Sequence, residues 1–187
     1  MEDKFYYGQH QKLINMSYKP LPFTYGALTN SQINALTGMS QGDTVYNSEW
    51  DVIEVYSGNV WTNDQCAIFQ SDGTDTIIVG NMVEQNTSGT IRLNTGYADW
   101  LGVVARIQSG YYTVAFTGKY LVLVDDDTSS SITNGDALST NIAPDGLVGV
   151  DSSPGSSTGI VGYACETKTG SAPSYLVKCA MQTVELY

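Results

Sequence analysis

The chain has 187 residues, enough for one domain with a sizeable core plus a small appendage, and its 42% hydrophobic and 11% aromatic content excludes a disordered polymer. Nineteen acidic against eight basic residues give a formal charge of −11, a surface that repels phosphate backbones, so no nucleic-acid ligand is expected. No apolar run approaches the ~18 residues of a membrane span, and the acidic start MEDKFYYGQHQ lacks the apolar segment of a secretory signal, so no membrane partner and synthesis in a cytoplasm are expected.

Residues 1–28 predict an extended N-terminal arm. An aromatic cluster (Phe5, Tyr6, Tyr7) and an apolar pair (Leu13, Ile14) lead into Tyr18-Lys19-Pro20-Leu21-Pro22-Phe23, where two prolines forbid a continuing helix. Such an arm cannot bury its aromatics alone, so it is expected to lie on its own β domain or on a partner, with Phe5, Tyr6, Tyr7, Leu13, Ile14 and Phe23 as the anchoring contacts. The single histidine, His10, sits here with no neighbouring nucleophile, so a Ser-His-Asp or Cys-His site is not expected.

Residues 29–70 predict a small hairpin module. Asn30 or Ser31 caps a short helix through Ile33, Ala35 and Leu36, closed by Gly38. Val45, Ile53, Val55 and Trp61 then flank an Asn-Ser-Glu-Trp-Asp turn and a Ser-Gly-Asn turn, which spells a three-stranded antiparallel unit. The string LTGMSQGDTVYNSEWDVIEVYSGNVW resembles a module of tailed-bacteriophage fibre and virion proteins, on Leu36, Thr37, Gly38, Gly42, Val45, Tyr46, Asn47, Glu54, Val55, Tyr56, Gly58 and Trp61. The resemblance implies an oligomer, and Trp50, Tyr56 and Trp61 are the expected interface residues.

Residues 71–187 predict the main β domain. Strands are expected at Thr76–Val79 and Asn81–Gln85, and then in three runs of a meander over Leu101–Asp127, broken at Gln108-Ser109-Gly110 and Thr117-Gly118-Lys119. Further strands are expected around Asp136–Leu138, Leu147–Val150, Ile160–Cys165 and Tyr175–Leu186. Many short strands at regular spacing predict an all-β fold: a small antiparallel barrel or sandwich behind the hairpin module and arm. Val83-Glu84, Gly102–Ala105, Tyr112–Gly118, Gly135–Leu138, Asp145–Val148 and Ile160–Ala164 resemble, in order, the small β-barrel of tailed-phage capsid decoration and head-fibre proteins.

Chemistry-bearing patterns are sparse. Cys66, Cys165 and Cys179 have no metal-ligand spacing and read as small buried hydrophobes. Asp125-Asp126-Asp127 lacks the ligand alternation of a calcium loop and reads as a solvated acidic loop. Glu49 with Asp51, or Glu54 with Asp43, are conceivable carboxylate pairs that nothing separates from the hairpin pattern. No catalytic residue, metal or cofactor is therefore assigned. The resemblances imply a non-enzymatic virion protein decorating or projecting from a capsid, a homotrimer in contact with the major capsid protein or other virion proteins. The alternative is a tail-associated, host-glycan-binding protein, with an enzyme such as a glycan hydrolase behind both.

Overall fold

The computed structural model describes residues 25–95, 100–141, 143–153, 159–169 and 174–182. The arm contacts proposed at Phe5, Tyr6, Tyr7, Leu13, Ile14 and Phe23, and His10 with them, lie outside the described residues.

The hairpin module forms as expected, with one added strand. β1 (Ala27–Leu28) runs parallel to β2 (Thr44–Asn47), and β3 (Val52–Tyr56) and β4 (Trp61–Thr62) follow antiparallel, in the order β1-β2-β3-β4. Helix α1 (Asn30–Asn34) is capped one residue earlier than the sequence suggests: Thr29 accepts from the Gln32 amide while the Gln32 side chain accepts from the Thr29 amide. That reciprocal pair satisfies two otherwise orphaned donors. Ile33, Val45 and Trp61 are fully buried together, with Tyr25, Leu28, Leu36, Met39 and Tyr56 packed around them.

The main domain is a two-sheet sandwich and not a closed barrel. One sheet has the order β5 (Cys66–Phe69), β9 (Tyr111–Ala115), β8 (Gly102–Gln108), β6 (Met82–Gln85), β7 (Ile91–Leu93). The other has β10 (Gly118–Asp125), β16 (Ser174–Met181), β14 (Ile160–Ala164), β12 (Ala137–Ser139), β13 (Gly149–Val150). A small ribbon, β11 (Ser131–Ile132) with β15 (Lys168–Thr169), lies apart from both. The core between the sheets takes every second residue: Tyr120, Val122 and Val124 from β10 stand opposite Cys179, Val177 and Tyr175 of β16 and face Met82, Val103 and Ala115. The alternate residues Val83, Val104 and Val114 point the other way into a second apolar cluster under Phe69 and Phe116. Burial of both faces explains why Leu101–Ala105 is a continuous apolar run.

Two expectations are corrected. Residues 101–127 are not one meander: β8 and β9 form a hairpin, but β10 leaves that sheet and pairs with β16 along its length. Gly118, with φ of +102°, is therefore the corner at which the chain switches sheets. Thr76–Val79 forms no strand, because the Ile78 amide is taken by the Asn81 side chain and Ile78 and Val79 are exposed. β5, within residues 29–70, pairs with β9 of the sandwich.

Candidate functional site at the joint between module and sandwich

β3 reads Val-Ile-Glu-Val-Tyr, and strand alternation places Glu54 on the inner face with Ile53 and Val55 outside. A carboxylate with no solvent exposure must be compensated, and Arg106 from β8 does so. Its Nη1 donates to Glu54 Oε2 and its Nη2 to Glu54 Oε1 at 3.2 Å, a bidentate pair between two side chains essentially closed to solvent.

A bulge aims the arginine there. Val103 stands opposite Ala115 and Val104 opposite Val114, after which the register slips by one residue and Arg106 stands opposite Thr113. Thr113 shares a face with Ala115, so the slip turns Arg106 away from the cluster containing Val104 and towards Trp50.

Two asparagines complete the clamp. Asn30 at the start of α1 accepts from Arg106 Nη2 at 2.8 Å and from Asn47 Nδ2 at 2.9 Å, and Asn47 Nδ2 also reaches Glu54 Oε1 at 2.6 Å. Asn47 Oδ1 accepts from the amides of Glu49 and Trp50 at 3.0 and 3.1 Å, fixing the turn that ends at Asp51, whose φ is +60°. That turn sets the Trp50 ring 5.0 Å from the Arg106 guanidinium carbon and 4.8 Å from the Tyr120 ring. The Tyr120 hydroxyl lies 3.1 Å from Gln65 Oε1, 3.2 Å from Asn63 Nδ2 and 3.4 Å from Cys66 Sγ. Burial pushes the Cys66 thiol up to about 12 and raises the Tyr120 phenol well above its ordinary value. Thr113 Oγ1 donates to the Trp61 carbonyl at 3.0 Å and adds a further tie between sandwich and module.

Chemically this is a clamp. Both Glu54 oxygens are engaged and the side chain has no solvent exposure, so a substrate has no access to the carboxylate. Asp51 accepts from the Tyr46 hydroxyl and Asp43 from the Ser40 amide at 2.8 Å, so the conceivable pairs Glu49/Asp51 and Glu54/Asp43 are each committed to other partners. Asp125 is buried at the end of β10, its Oδ2 accepting from the Thr128 amide at 3.0 Å, and of the three aspartates Asp126 is half-buried and Asp127 exposed. No group of three or more His, Cys, Asp or Glu among the described residues could hold a metal ion. Cys66 and Cys165 are half-buried, Cys179 is buried, and all three are free thiols.

Trp61 is 0% and Trp50 8% exposed, and both rings are used within the chain; Tyr56 is half-buried against Trp61 at 5.3 Å. The exposed apolar side chains of the module are instead Ile53 at 48% and Val55 at 40%, lining an open cleft of about 660 Å³ with Tyr46, Thr62, Asp51 and Asp64. Arg106 escaped the sequence reading, as did the part that Asn30 and Asn47 play in the clamp. Their signal is a lone arginine in the apolar run of β8 and a lone glutamate in the apolar run of β3, two charges that each require a partner.

No family model matches the chain, and no curated protein matches it significantly in sequence.

Proposed function

We propose that the chain is a non-enzymatic structural component of a tailed-phage virion, decorating or projecting from the capsid as a homotrimer, with the major capsid protein or another virion protein as its partner. The observation that carries this reading is the joint. A hairpin module locked to the sandwich by Glu54 and Arg106 presents Ile53 and Val55 outward as a rigid, unpartnered apolar face. A stiff scaffold with one apolar face suits protein contact, because little ordering cost remains to be met on association. The two phage-type resemblances of the sequence run through this module and through the sandwich strands. Subunit contact through the module would use Ile53 and Val55, since the tryptophans lie within the fold.

The test is attachment. Purified protein is mixed with empty heads of a phage encoding it and sedimented; stoichiometric co-sedimentation is expected, and Ile53→Lys with Val55→Lys should reduce it strongly while leaving the melting curve unchanged. A monomeric protein that leaves the heads bare would overturn the reading. The second reading, a host-glycan-binding protein, has its own support in a cavity beside Trp50.

A further inference from the structure

A cavity of about 260 Å³ opens where the module meets the β10 edge of the sandwich, walled by Trp50, Tyr120 and Leu121 and rimmed by Asn30, Lys119 and Lys178. Its charge is opposite to that of the molecule. Beyond residue 24 the basic residues are Arg92, Arg106, Lys119, Lys168 and Lys178, and two of these five, Lys119 and Lys178, line the cavity in a chain of formal charge −11, while Arg106 lies against the Trp50 ring with its charge paired to Glu54. Lys119 stands opposite Ala180 and Lys178 opposite Leu121, so the two lysines are diagonal neighbours on one sheet face. Neither forms a salt bridge among the described residues: Lys178 Nζ donates to the Glu49 carbonyl at 3.3 Å, and the nearby Glu166 Oε1 is taken by the Lys178 backbone amide at 2.8 Å. The Glu49 side chain also lines the cavity, with one oxygen taken by the Asn30 amide at 3.1 Å. Asn30 spends its backbone N–H on Glu49 and its side-chain oxygen on Arg106 and Asn47, which leaves the side-chain Nδ2 as a donor.

We infer that this cavity binds a carboxylate-bearing sugar residue. The two ammonium groups take the carboxylate, Asn30 and the second Glu49 oxygen take ring hydroxyls, and Leu121, 37% exposed, with the solvent-facing edge of Trp50 takes the apolar face of the ring. The volume lies just under the usual range for small-ligand pockets, which fits one ring and not an extended oligosaccharide. The pre-formed clamp behind Trp50 holds the wall in place before the ligand arrives. This deepens the glycan-binding reading, on which it rests, and is independent of the virion reading.

The test titrates the full-length protein with D-glucuronate, D-glucose, sodium acetate and a glucuronate-terminated oligosaccharide, followed by saturation-transfer NMR and calorimetry. Glucuronate is expected to bind, glucose and acetate to bind far more weakly. Lys119→Gln and Lys178→Gln should each weaken glucuronate by about tenfold or more, the loss of one charge-assisted contact, with unchanged melting curves. Tighter binding of the oligosaccharide would identify a chain terminus as the source, and equal binding the free sugar; either supports the site. Glucose binding as well as glucuronate, with both lysine variants unaffected, would overturn the acidic class while leaving glycan recognition standing. Acetate displacing glucuronate at equal concentration would reduce the site to a simple anion site and overturn the sugar assignment. No binding of any of the four would overturn both the inference and the glycan reading.

Discussion

At the scale of single residues, the Glu54–Arg106 pair decides how the module sits. Removing one partner leaves the other charge buried and unpaired, so Glu54→Ala or Arg106→Ala should each cost about 3–5 kcal/mol in urea unfolding. An apolar replacement of both, Glu54→Leu with Arg106→Met, should recover most of that loss, since such swaps are often near neutral. If either single change were silent, the pair would not hold the joint. The thiols give a second expectation. Burial raises Cys66 and Cys179 from the ordinary 9.0 to about 12, so at pH 8 the thiolate fraction of each is on the order of 10⁻⁴. Cys165, half-buried in the loop after β14, should be the thiol that an aromatic disulfide reagent titrates in the native protein, with all three reacting in denaturant. Because the folded-state values are raised, the stability these thiols contribute is complete below pH 9 and declines as pH climbs toward 12. Melting temperatures measured from pH 8 to 11 should fall, and should fall less in a Cys66→Ala, Cys179→Ala variant than in the parent.

At the scale of elements, close strand contact rather than turn chemistry sets the strictest requirement. Gly162 in β14 stands opposite Met181, and a β-carbon there would run into the Ala180 carbonyl of β16 although its backbone is ordinary extended chain. Gly110 lies in the β8–β9 turn with φ of +79° and open space around it. Gly162→Ala should therefore cost about 1–3 kcal/mol by overpacking, while Gly110→Ala meets only the backbone preference of about 1 kcal/mol. With roughly 2–4 °C of melting temperature per kcal/mol in a domain of this size, differential scanning calorimetry separates the two. Equal shifts would mean that the β14–β16 register is not as drawn.

At the scale of the molecule, the described residues carry their own cores, so deleting residues 1–24 should leave a cooperatively unfolding domain with an unchanged β-type circular dichroism spectrum; loss of cooperative unfolding would show that the arm completes a core. The burial of Trp50, Trp61 and Trp100 at 8%, 0% and 8% exposure also predicts little iodide quenching in the monomer and in any oligomer, so quenching is not a measure of assembly. What the sequence determined by itself was local. The alternation in Val52–Tyr56, the Gly-bearing turns and the β-branched runs dictated an all-β chain with a separate hairpin module, because strand period and turn propensity act within a few residues. Which sheet received β10 was decided by tertiary structure, because nothing in Tyr120-Leu-Val-Leu-Val says whether its neighbour is Tyr112 or Val177. The joint was decided the same way. Glu54 and Arg106 are 52 positions apart, and they meet because a one-residue bulge in β8 turns a side chain from one face of a doubly buried sheet to the other, a choice no local pattern encodes.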